Sequence, residues 1–162
     1  MKEFDELYKM YSEGVYKYLA YLTGDLSVAE ELLQETFFQA FKNINKFRGE
    51  SKISTWIYGI ARNIYLKNYS REKKYNLCHI DELRNYLNNE QLLEYNYERK
   101  ETIREVLWEI NKLDYDSKQV VLLRASNDLS FKDIGEILGK SEGWARVTFH
   151  RSKIKLRKEI EL

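Results

Sequence analysis

Cationic side chains recur at helical spacing near the carboxyl end of this sequence. One side of a helix through this segment would present Glu142, Gly143, Arg146, Val147, His150, Arg151 and Lys153. An arginine guanidinium can donate paired hydrogen bonds to the edge of a guanine in the major groove of DNA. Lysines further along, such as Lys155, would reach phosphates. The pattern indicates duplex DNA binding, and the alternative is a solvated basic helix face.

Two predicted helices and a tight turn would position these cations. Ser130 can cap the first helix, with Asp133 favourably placed in its first turn. Gly139 supplies a left-handed stop, and Ser141 can cap the second helix. A short helix, a turn and a second helix with an exposed arginine-rich face are typical of a helix-turn-helix. The simpler alternative is a helical hairpin without a DNA ligand.

A second basic block combines cations with aromatic rings. Residues 42–74 contain nine Lys and Arg side chains, interleaved with Phe47, Trp56, Tyr58, Tyr65 and Tyr69. Single-stranded nucleic acid is bound by this combination, because cations follow phosphates and rings stack on unpaired bases. Two positions stay ambiguous at this point. Trp56 has the spacing of a core residue, and Asn63 beside Arg62 could contact a base edge or lie on a polar face.

A third pattern lies between these features and the amino terminus. Glu31, Gln34, Glu35 and Phe38 fall at i, i+3, i+4 and i+7, away from the apolar stripe of the same predicted helix. An aromatic residue beside carboxylates and an amide is typical of a surface that binds a protein partner. Periodicity alone leaves open that Phe38 widens the core stripe.

Composition predicts an all-α fold. The 162 residues include no Pro and only 7 Gly, and 43% are hydrophobic, so little interrupts a helix and enough is apolar to form a core. No apolar run approaches the ~20 residues of a membrane span. The start of the sequence lacks the apolar stretch of a signal peptide. A single Cys favours a reducing compartment, so we expect a cytoplasmic protein.

Charge is segregated along the chain, although the net charge is only +1. Residues 42–74 carry nine basic and two acidic side chains, and residues 140–158 carry seven and one. Residues 1–41 are acidic, with eight acidic and three basic side chains. Two basic blocks separated by acidic segments indicate two contacts with a polyanion, most simply nucleic acid. Solvated lysine-rich faces are the alternative.

The helical periodicities divide the chain into two small domains. We expect a first domain over 1–75, a polar, Asn-rich flexible linker over 76–100, and a second domain over 101–162. In the first domain, Gly24 and Asp25 should end the opening helix, and Ser27 with Glu30 forms a predicted capping box for the next. That next helix carries an apolar stripe from Ala29 to Ile44. Gly49 marks a loop before the third helix.

Enzymatic chemistry finds little support in the sequence. Cys78, His79 and His150 are the only Cys and His residues, which is too few for a zinc site of the usual kind. No glycine-rich phosphate loop occurs. The acidic residues around Glu31 have the spacing of a helix surface, which offers no concave site. We therefore expect no catalytic residues, no metal and no cofactor.

Two long segments resemble one family. Residues 29–63, AEELLQETFFQAFKNINKFRGESKISTWIYGIARN, resemble the core of domain two of bacterial extracytoplasmic-function (ECF) sigma factors, of the sigma-70 family. Residues 129–157, LSFKDIGEILGKSEGWARVTFHRSKIKLR, are similar to the helix-turn-helix of domain four in the same family. The resemblance covers nearly the whole chain in the expected order. It implies a subunit that brings core RNA polymerase to promoters and helps to open them.

The resemblance also assigns roles to individual residues. It implies that the polymerase β′ subunit docks on Glu31, Leu32, Gln34, Glu35 and Phe38. It implies that the promoter −10 element is contacted by Phe47, Arg48, Gly49, Ser51, Trp56, Arg62, Asn63 and Lys67. It implies that the −35 element is contacted by Gly143, Arg146, Val147, His150, Arg151 and Lys155.

The implied partners are the β and β′ subunits of core RNA polymerase, promoter DNA and an anti-sigma factor. Anti-sigma factors are often anchored in the membrane, and such a partner would hold this chain at the membrane. No small-molecule substrate is implied. One alternative is a two-domain helix-turn-helix regulator that never contacts core polymerase. The face around Phe38 discriminates between the two, because such a regulator would not need it. Another is a helical adaptor without affinity for DNA.

Overall fold

The computed structural model describes residues 2–69, 105–126 and 129–160. The predicted linker over 76–100 and the Cys78–His79 pair lie outside these residues. The helices are α1 (Lys2–Thr23), α2 (Leu26–Asn43), α3 (Ile53–Tyr69), α4 (residues 105–111), α5 (Tyr115–Ser126), α6 (Phe131–Leu138) and α7 (Glu142–Ile160), with a 3-10 turn at Ile44–Lys46. The described ranges contain no strand, so the prediction of an all-α protein with two helical regions is confirmed.

The first region, α1 to α3, is a three-helix unit in which each helix packs on the other two. Its core contains Val15 and Leu19 of α1, Phe37 of α2, and Ile57 and Ala61 of α3, each at most 4% exposed. These residues recur at the three- and four-residue spacing that brings side chains to one side of a helix. The spacing alone therefore located most of this core.

The apolar stripe of α2 was predicted one turn too long. Phe41 is 50% exposed and contacts Phe4 edge-on, with ring centroids 5.1 Å apart. Ala40, one residue earlier, is the last fully buried position of the helix. The core has no further helix to cover this end of α2, so the last aromatic of the stripe remains at the surface.

The predicted capping box of α2 is wrong in its position. Asp25, and not Ser27, is the N-cap: its side chain accepts a 3.1 Å hydrogen bond from the Val28 amide. Gly24 adopts a left-handed φ of 69° and ends α1. The chain therefore reverses one residue before Asp25, which leaves that residue extended and its carboxylate facing the free amides of the new helix.

The second region, α4 to α7, is built around the packing of α7 on α5 and α6. Val120, Leu123, Ile134 and Ala145 are completely buried in its core. Two polar residues of α5, Lys118 and Gln119, are also buried. Hydrophobic periodicity did not indicate the burial of these two polar residues, because α5 buries side chains on more than one side of the helix.

The two regions also pack against each other, α1 against α5 and α3 against α6. The buried apolar residues of both regions therefore form one continuous core. Within the described ranges, every helix is too short or too polar to cross a lipid bilayer.

Candidate nucleic-acid and protein interfaces

The turn between α6 and α7 is fixed by caps at both of its ends. The Ser130 hydroxyl accepts a 3.1 Å hydrogen bond from the Asp133 amide, while the Asp133 carboxylate accepts a 3.0 Å bond from the Ser130 amide. Gly139 has a left-handed φ of 66°, which stops α6 as predicted. Ser141 accepts a 3.0 Å bond from the Trp144 amide and so caps α7. The sequence-based prediction of this helix-turn-helix is confirmed.

Close backbone packing makes Gly135 a requirement of the same turn, which the sequence analysis did not anticipate. A Cβ atom at Gly135 would lie 2.7 Å from the Lys140 carbonyl oxygen, closer than real Cβ atoms come. The Gly135 carbonyl also accepts a 2.8 Å hydrogen bond from the Lys140 amide. The turn therefore passes directly over α6, and this fixes the angle at which α7 leaves it.

α7 presents a cationic face to solvent. All six residues predicted to contact duplex DNA are exposed on this helix: Gly143, Arg146, Val147, His150, Arg151 and Lys155. The buried residues Ala145 and Ser152 anchor the opposite side. Arg146 donates a 2.8 Å hydrogen bond to the Glu142 carboxylate one turn earlier. The packing thus leaves the predicted reading side chains free of the core.

An aromatic ring on α6 supports this face from below. The guanidinium carbons of Arg124 and Arg146 lie 4.5 Å and 5.6 Å from the centroid of Phe131. The His150 ring centroid is 6.2 Å from the same ring. Stacking on an aromatic face restrains a guanidinium and favours its charge. Phe131 and Arg124 were not among the predicted site residues, because no periodicity links α5, α6 and α7.

A shallow cleft flanks the far end of the cationic face. It has a volume of about 350 Å³ and lies between α7 and the start of α5, with Asp114, Trp144, Arg151 and Lys155 among its lining residues. Hydrogen bonds from Ser117 hold the pKa of Asp114 below its usual value. Trp144 is half-buried, with the Lys140 ammonium 5.5 Å from its ring centroid. The tryptophan therefore belongs to the rim of the core.

The loop between the 3-10 turn and α3 holds half of the residues predicted to contact the −10 element, and α3 holds the other half. Gly49 has a left-handed φ of 71°, as expected for its turn position. Arg48 and Gly49 are exposed, and Phe47 and Ser51 are half-buried. The rings of Phe47 and Trp56 lie 5.2 Å apart. Trp56 thus supports the loop from α3, and both rings keep part of their surface in solvent.

The residues predicted on α3 point in two directions. Asn63 and Lys67 are exposed and line a groove of about 840 Å³ between α2 and α3, together with Trp56. Arg62 lies close enough to Tyr18 of α1 for its charge to act on that phenol. The Arg62 Nε atom is buried and has no hydrogen-bond partner among the described residues. The structure therefore separates Arg62 from the other two.

The predicted protein-binding face lies on α2, across the same groove. Glu31, Gln34, Glu35 and Phe38 are exposed, and Phe38 reaches 53% exposure, so it does not widen the core stripe. Leu32 is only 5% exposed and lies in the core, where it supports the face without being able to form much of it. The groove floor is apolar, with Leu32 and Ile60 among its lining residues.

One hydrogen bond and one cation–π contact organise this face. Glu35 accepts a 2.8 Å hydrogen bond from the Gln39 amide nitrogen. The Lys42 ammonium lies 5.1 Å from the Phe38 ring centroid. The exposed phenylalanine therefore stands between acidic side chains on one side and a cation on the other.

Among the described residues, no cluster of three or more His, Cys, Asp or Glu side chains has a geometry suited to a metal ion.

Comparisons with known proteins agree with this arrangement. The model of the Sigma-70 region 2 family matches residues 7–75, and that of the Sigma-70, region 4 family matches residues 103–156. RNA polymerase sigma factor YlaC of Bacillus subtilis is 32% identical over 96% of this chain and 91% of its own length. ECF RNA polymerase sigma factor SigM of the same organism is 30% identical over 94% and 92%.

Solved structures share the fold. The sigma factor RpoE of Bartonella quintana, determined in complex with the anti-sigma factor NepR, aligns with a TM-score of 0.76 at 16% identity, over 100% of this chain and 99% of that one. CnrH, determined with the cytosolic domain of CnrY, aligns with a TM-score of 0.73 at 18% identity, over 99% and 88%.

The two matched regions, in this order on one chain, define a protein of the sigma-70 family. Within that family, the chain belongs to the extracytoplasmic-function group of RNA polymerase sigma factors. It is a sigma factor that directs promoter-specific transcription initiation. The alternative of a DNA-binding regulator unconnected with core polymerase is not favoured, because the match includes region 2.

Proposed function

We propose that the chain carries out promoter recognition with three separate surfaces, one for core RNA polymerase and two for DNA. The observation that carries this proposal is the exposure of all six predicted −35 residues on one side of α7, opposite its buried anchors Ala145 and Ser152. A helix-turn-helix with this polarity fits the major groove of a duplex. Arg146 and Arg151 then read base edges, while Lys155 contacts a phosphate.

The −10 element is assigned to the loop after the 3-10 turn and to the exposed side of α3. Arg48, Asn63 and Lys67 supply donors for phosphates and base edges. Phe47 and Trp56, 5.2 Å apart, supply partly exposed rings against which an unpaired base can pack. An unpaired base must be extruded from the duplex, so this surface takes part in promoter opening as well as in recognition.

Core polymerase is assigned to the α2 face formed by Glu31, Gln34, Glu35 and Phe38. An exposed phenylalanine among charged side chains has the composition of an interface anchor with a polar rim. The groove between α2 and α3, about 840 Å³ in volume, continues this face toward Trp56. Polymerase docking and −10 capture would therefore use adjoining surfaces of the first region.

An inhibitory protein partner is part of the same proposal. RpoE of Bartonella quintana is paired with the anti-sigma factor NepR in its solved structure. A chain with two cationic DNA surfaces and an exposed docking face needs a similar partner to remain idle. The sigma factor that it inhibits would be cytoplasmic. The role of that sigma factor is to bind polymerase and DNA, and not to catalyse a reaction. The division into a first domain over 1–75 and a second over 101–162 provides the anti-sigma factor with two separate targets.

In vitro transcription with purified core polymerase tests the proposal directly. Addition of the chain to core polymerase should produce transcripts from a defined subset of promoters, and sequencing of their starts would reveal shared −35 and −10 elements. A helix-turn-helix regulator without polymerase affinity would yield no transcripts from core polymerase alone. A helical adaptor without a DNA role would show no affinity for any of the promoter duplexes.

A further inference from the structure

One side of α7 carries a ridge of residues without hydrogen-bonding side chains. Gly143, Val147 and Ile154 follow one another at i, i+4 and i+11, a spacing that brings them to the same side of a helix. Val147 is 48% exposed and Ile154 is 57% exposed. At 3.6 residues per turn, this side lies almost directly opposite the buried anchors Ala145 and Ser152. The ridge is therefore the part of α7 that projects furthest from the core.

Cations flank the ridge on both sides. On the side of α6, the Arg146 guanidinium lies 2.8 Å from the Glu142 carboxylate and 5.6 Å from the centroid of the Phe131 ring. On the side of α5, Arg151 and Lys155 line the cleft of about 350 Å³. These long side chains are thus drawn to either side of the helix, and the ridge stands between them.

This cross-section fits the major groove of a duplex. The groove is about 12 Å wide, so a helix that enters it meets phosphates at its flanks and base edges at its crest. The flanking cations complement the phosphates, and the ridge then faces the bases. A protein partner is the poorer fit, because the buried centre of a protein interface is depleted of charged residues.

The fold itself does not require the glycine of the ridge. A Cβ atom at Gly143 would meet nothing within 4 Å. Glycine is also less favourable than alanine in a helix. A glycine at an exposed position with room for a methyl group fits a site where a ligand approaches the backbone closely. The first turn of α7 can therefore come nearer to base edges than a helix with a side chain at this position.

The chemistry of the ridge limits what it can read. Val147 has neither a donor nor an acceptor, so the hydrogen-bonding groups of a base edge find no partner in its side chain. The C5-methyl group of thymine is the apolar group that base pairs display in the major groove. Contact with this methyl group therefore distinguishes a T·A pair from the other pairs.

We propose that Val147 is a specificity-determining residue, which packs against the C5-methyl group of a thymine in the −35 element while Gly143 admits the neighbouring base pair to the backbone. The inference rests on the proposed function, which assigns the −35 element to α7. Arg146 and Arg151 read hydrogen-bonding groups from the flanks. Ile154 lies roughly 10 Å further along the helix. This is beyond the amino-terminal part from which recognition helices contact base edges.

Removal of single methyl groups from DNA tests the contact. The full chain first selects its preferred duplex from a random pool, which defines the element without polymerase. Each thymine of that duplex is then replaced by deoxyuridine, which keeps the base pair and lacks only the methyl group. Fluorescence anisotropy at fixed salt measures the affinity of the parent, Val147→Ala and Ile154→Ala for every duplex. Ile154→Ala is the matched control, because it shortens another exposed apolar side chain of the ridge.

One deoxyuridine replacement should lower the affinity of the parent about three- to fivefold, which corresponds to the loss of one methyl-sized group from an apolar contact. Val147→Ala should bind the thymine duplex more weakly and lose most of its sensitivity to that replacement, because the shorter side chain does not reach the methyl group. Ile154→Ala should be as sensitive as the parent. Gly143→Ala should weaken binding to the preferred duplex, although it removes a residue that is unfavourable in a helix.

Two results would overturn the assignment. A parent that binds all deoxyuridine duplexes as tightly as the thymine duplex makes no methyl contact, and the ridge then serves a protein partner instead. A Val147→Ala variant that still suffers the full loss would show that the methyl group acts through the DNA or through another residue.

These outcomes are separate from the test of function. If core polymerase yields no transcripts while the deoxyuridine effect depends on Val147, the proposed function is wrong and the methyl contact stands. If transcription succeeds from promoters with a shared −35 element and no deoxyuridine has an effect, the function stands and the methyl contact does not. If the selection enriches no sequence, α7 reads no base, and both the −35 assignment and the methyl contact are wrong.

Discussion

Arg146 and Glu142 form an ion pair on the exposed side of α7, with 2.8 Å between the guanidinium and the carboxylate. Both side chains are half-exposed, so the pair contributes little to stability in water. It holds the guanidinium near the Phe131 ring and limits the orientations from which Arg146 can approach a base. Under the proposed function, Glu142 thereby positions Arg146 for DNA recognition.

Replacement of Arg146 by Ala should reduce affinity for a duplex that carries the −35 element by about 1–3 kcal/mol, and affinity for a scrambled duplex by much less, because a paired contact with a base is lost. Fluorescence anisotropy with both duplexes at fixed salt checks this. Lys155→Ala is the control: it should weaken both duplexes alike and reduce the salt dependence. If Arg146→Ala lowers the affinity for both duplexes equally, Arg146 contacts a phosphate and does not read a base.

Replacement of Phe38 by Ala should weaken core polymerase binding, because an interface anchor is removed from a helix that Ala does not disturb. Phe41→Ala is a matched control, since Phe41 lies on the same helix and is 50% exposed, against 53% for Phe38. Pull-down of core polymerase with each variant measures the difference. If both variants bind as the parent does, with unchanged helicity, the docking face lies elsewhere.

Replacement of Gly135 by Ala should lower the free energy of unfolding by about 1–3 kcal/mol, because the new methyl group would overlap the Lys140 carbonyl. Gly143→Ala is the comparison. A Cβ at Gly143 meets nothing within 4 Å, so this change should stabilise α7 by up to about 1 kcal/mol. Urea unfolding of both variants provides the values. A neutral Gly135→Ala would mean that the turn can move away from α6.

Stability should rise with pH in the range where Lys118 titrates. Burial lowers the pKa of this lysine to about 8, although its ammonium also donates a 2.8 Å hydrogen bond to Asn111. Between pH 8 and about 10.5 the unfolded chain binds a proton that the folded chain has lost, so the free energy of unfolding increases with pH. Urea unfolding at pH 7.5 and 9.5 should differ by about 1–2 kcal/mol from this group alone.

Lys118→Met isolates the effect, because it keeps the length of the side chain and removes the titration. The difference between the parent and this variant should change with pH, while contributions from tyrosines and carboxylates cancel. A parallel pH dependence of the two proteins would show that Lys118 keeps an ordinary pKa in the folded state.

Local signals in the sequence were sufficient for most of the helix-turn-helix. Ser130, Asp133, Gly139 and Ser141 each have a role that neighbouring residues determine, so caps and turn followed from residue types alone. At the start of α2 the same reasoning failed. Both Asp25 and Ser27 are good N-caps. The choice between them depends on where Gly24 reverses the chain, which is a property of the folded backbone.

Hydrophobic periodicity could not predict contacts between residues that are distant in sequence. Tyr18 and Gln119 are 101 positions apart, and neither has a neighbour in sequence that indicates the other. Gln119 is buried where the second region packs on the first, and its side chain accepts a hydrogen bond from Tyr18 there. The case of Leu32 is different: its spacing places it in the apolar stripe of α2, and only the family resemblance assigned it to the docking face. It is 5% exposed and lies in the core, as the spacing indicates.

The double role of Asp133 has a consequence for hybrid proteins. Its carboxylate caps α6 through Ser130 and also contacts Lys52 in the other region. These hydrogen bonds, together with the Lys52 charge, hold its pKa below the usual value in spite of desolvation. A chimaera that joins the first region of one relative to the second region of another keeps the cap but can lose the pairing. Compatibility of exchanged halves should therefore depend on the residues at positions 52 and 133, and at 18 and 119, more than on overall identity.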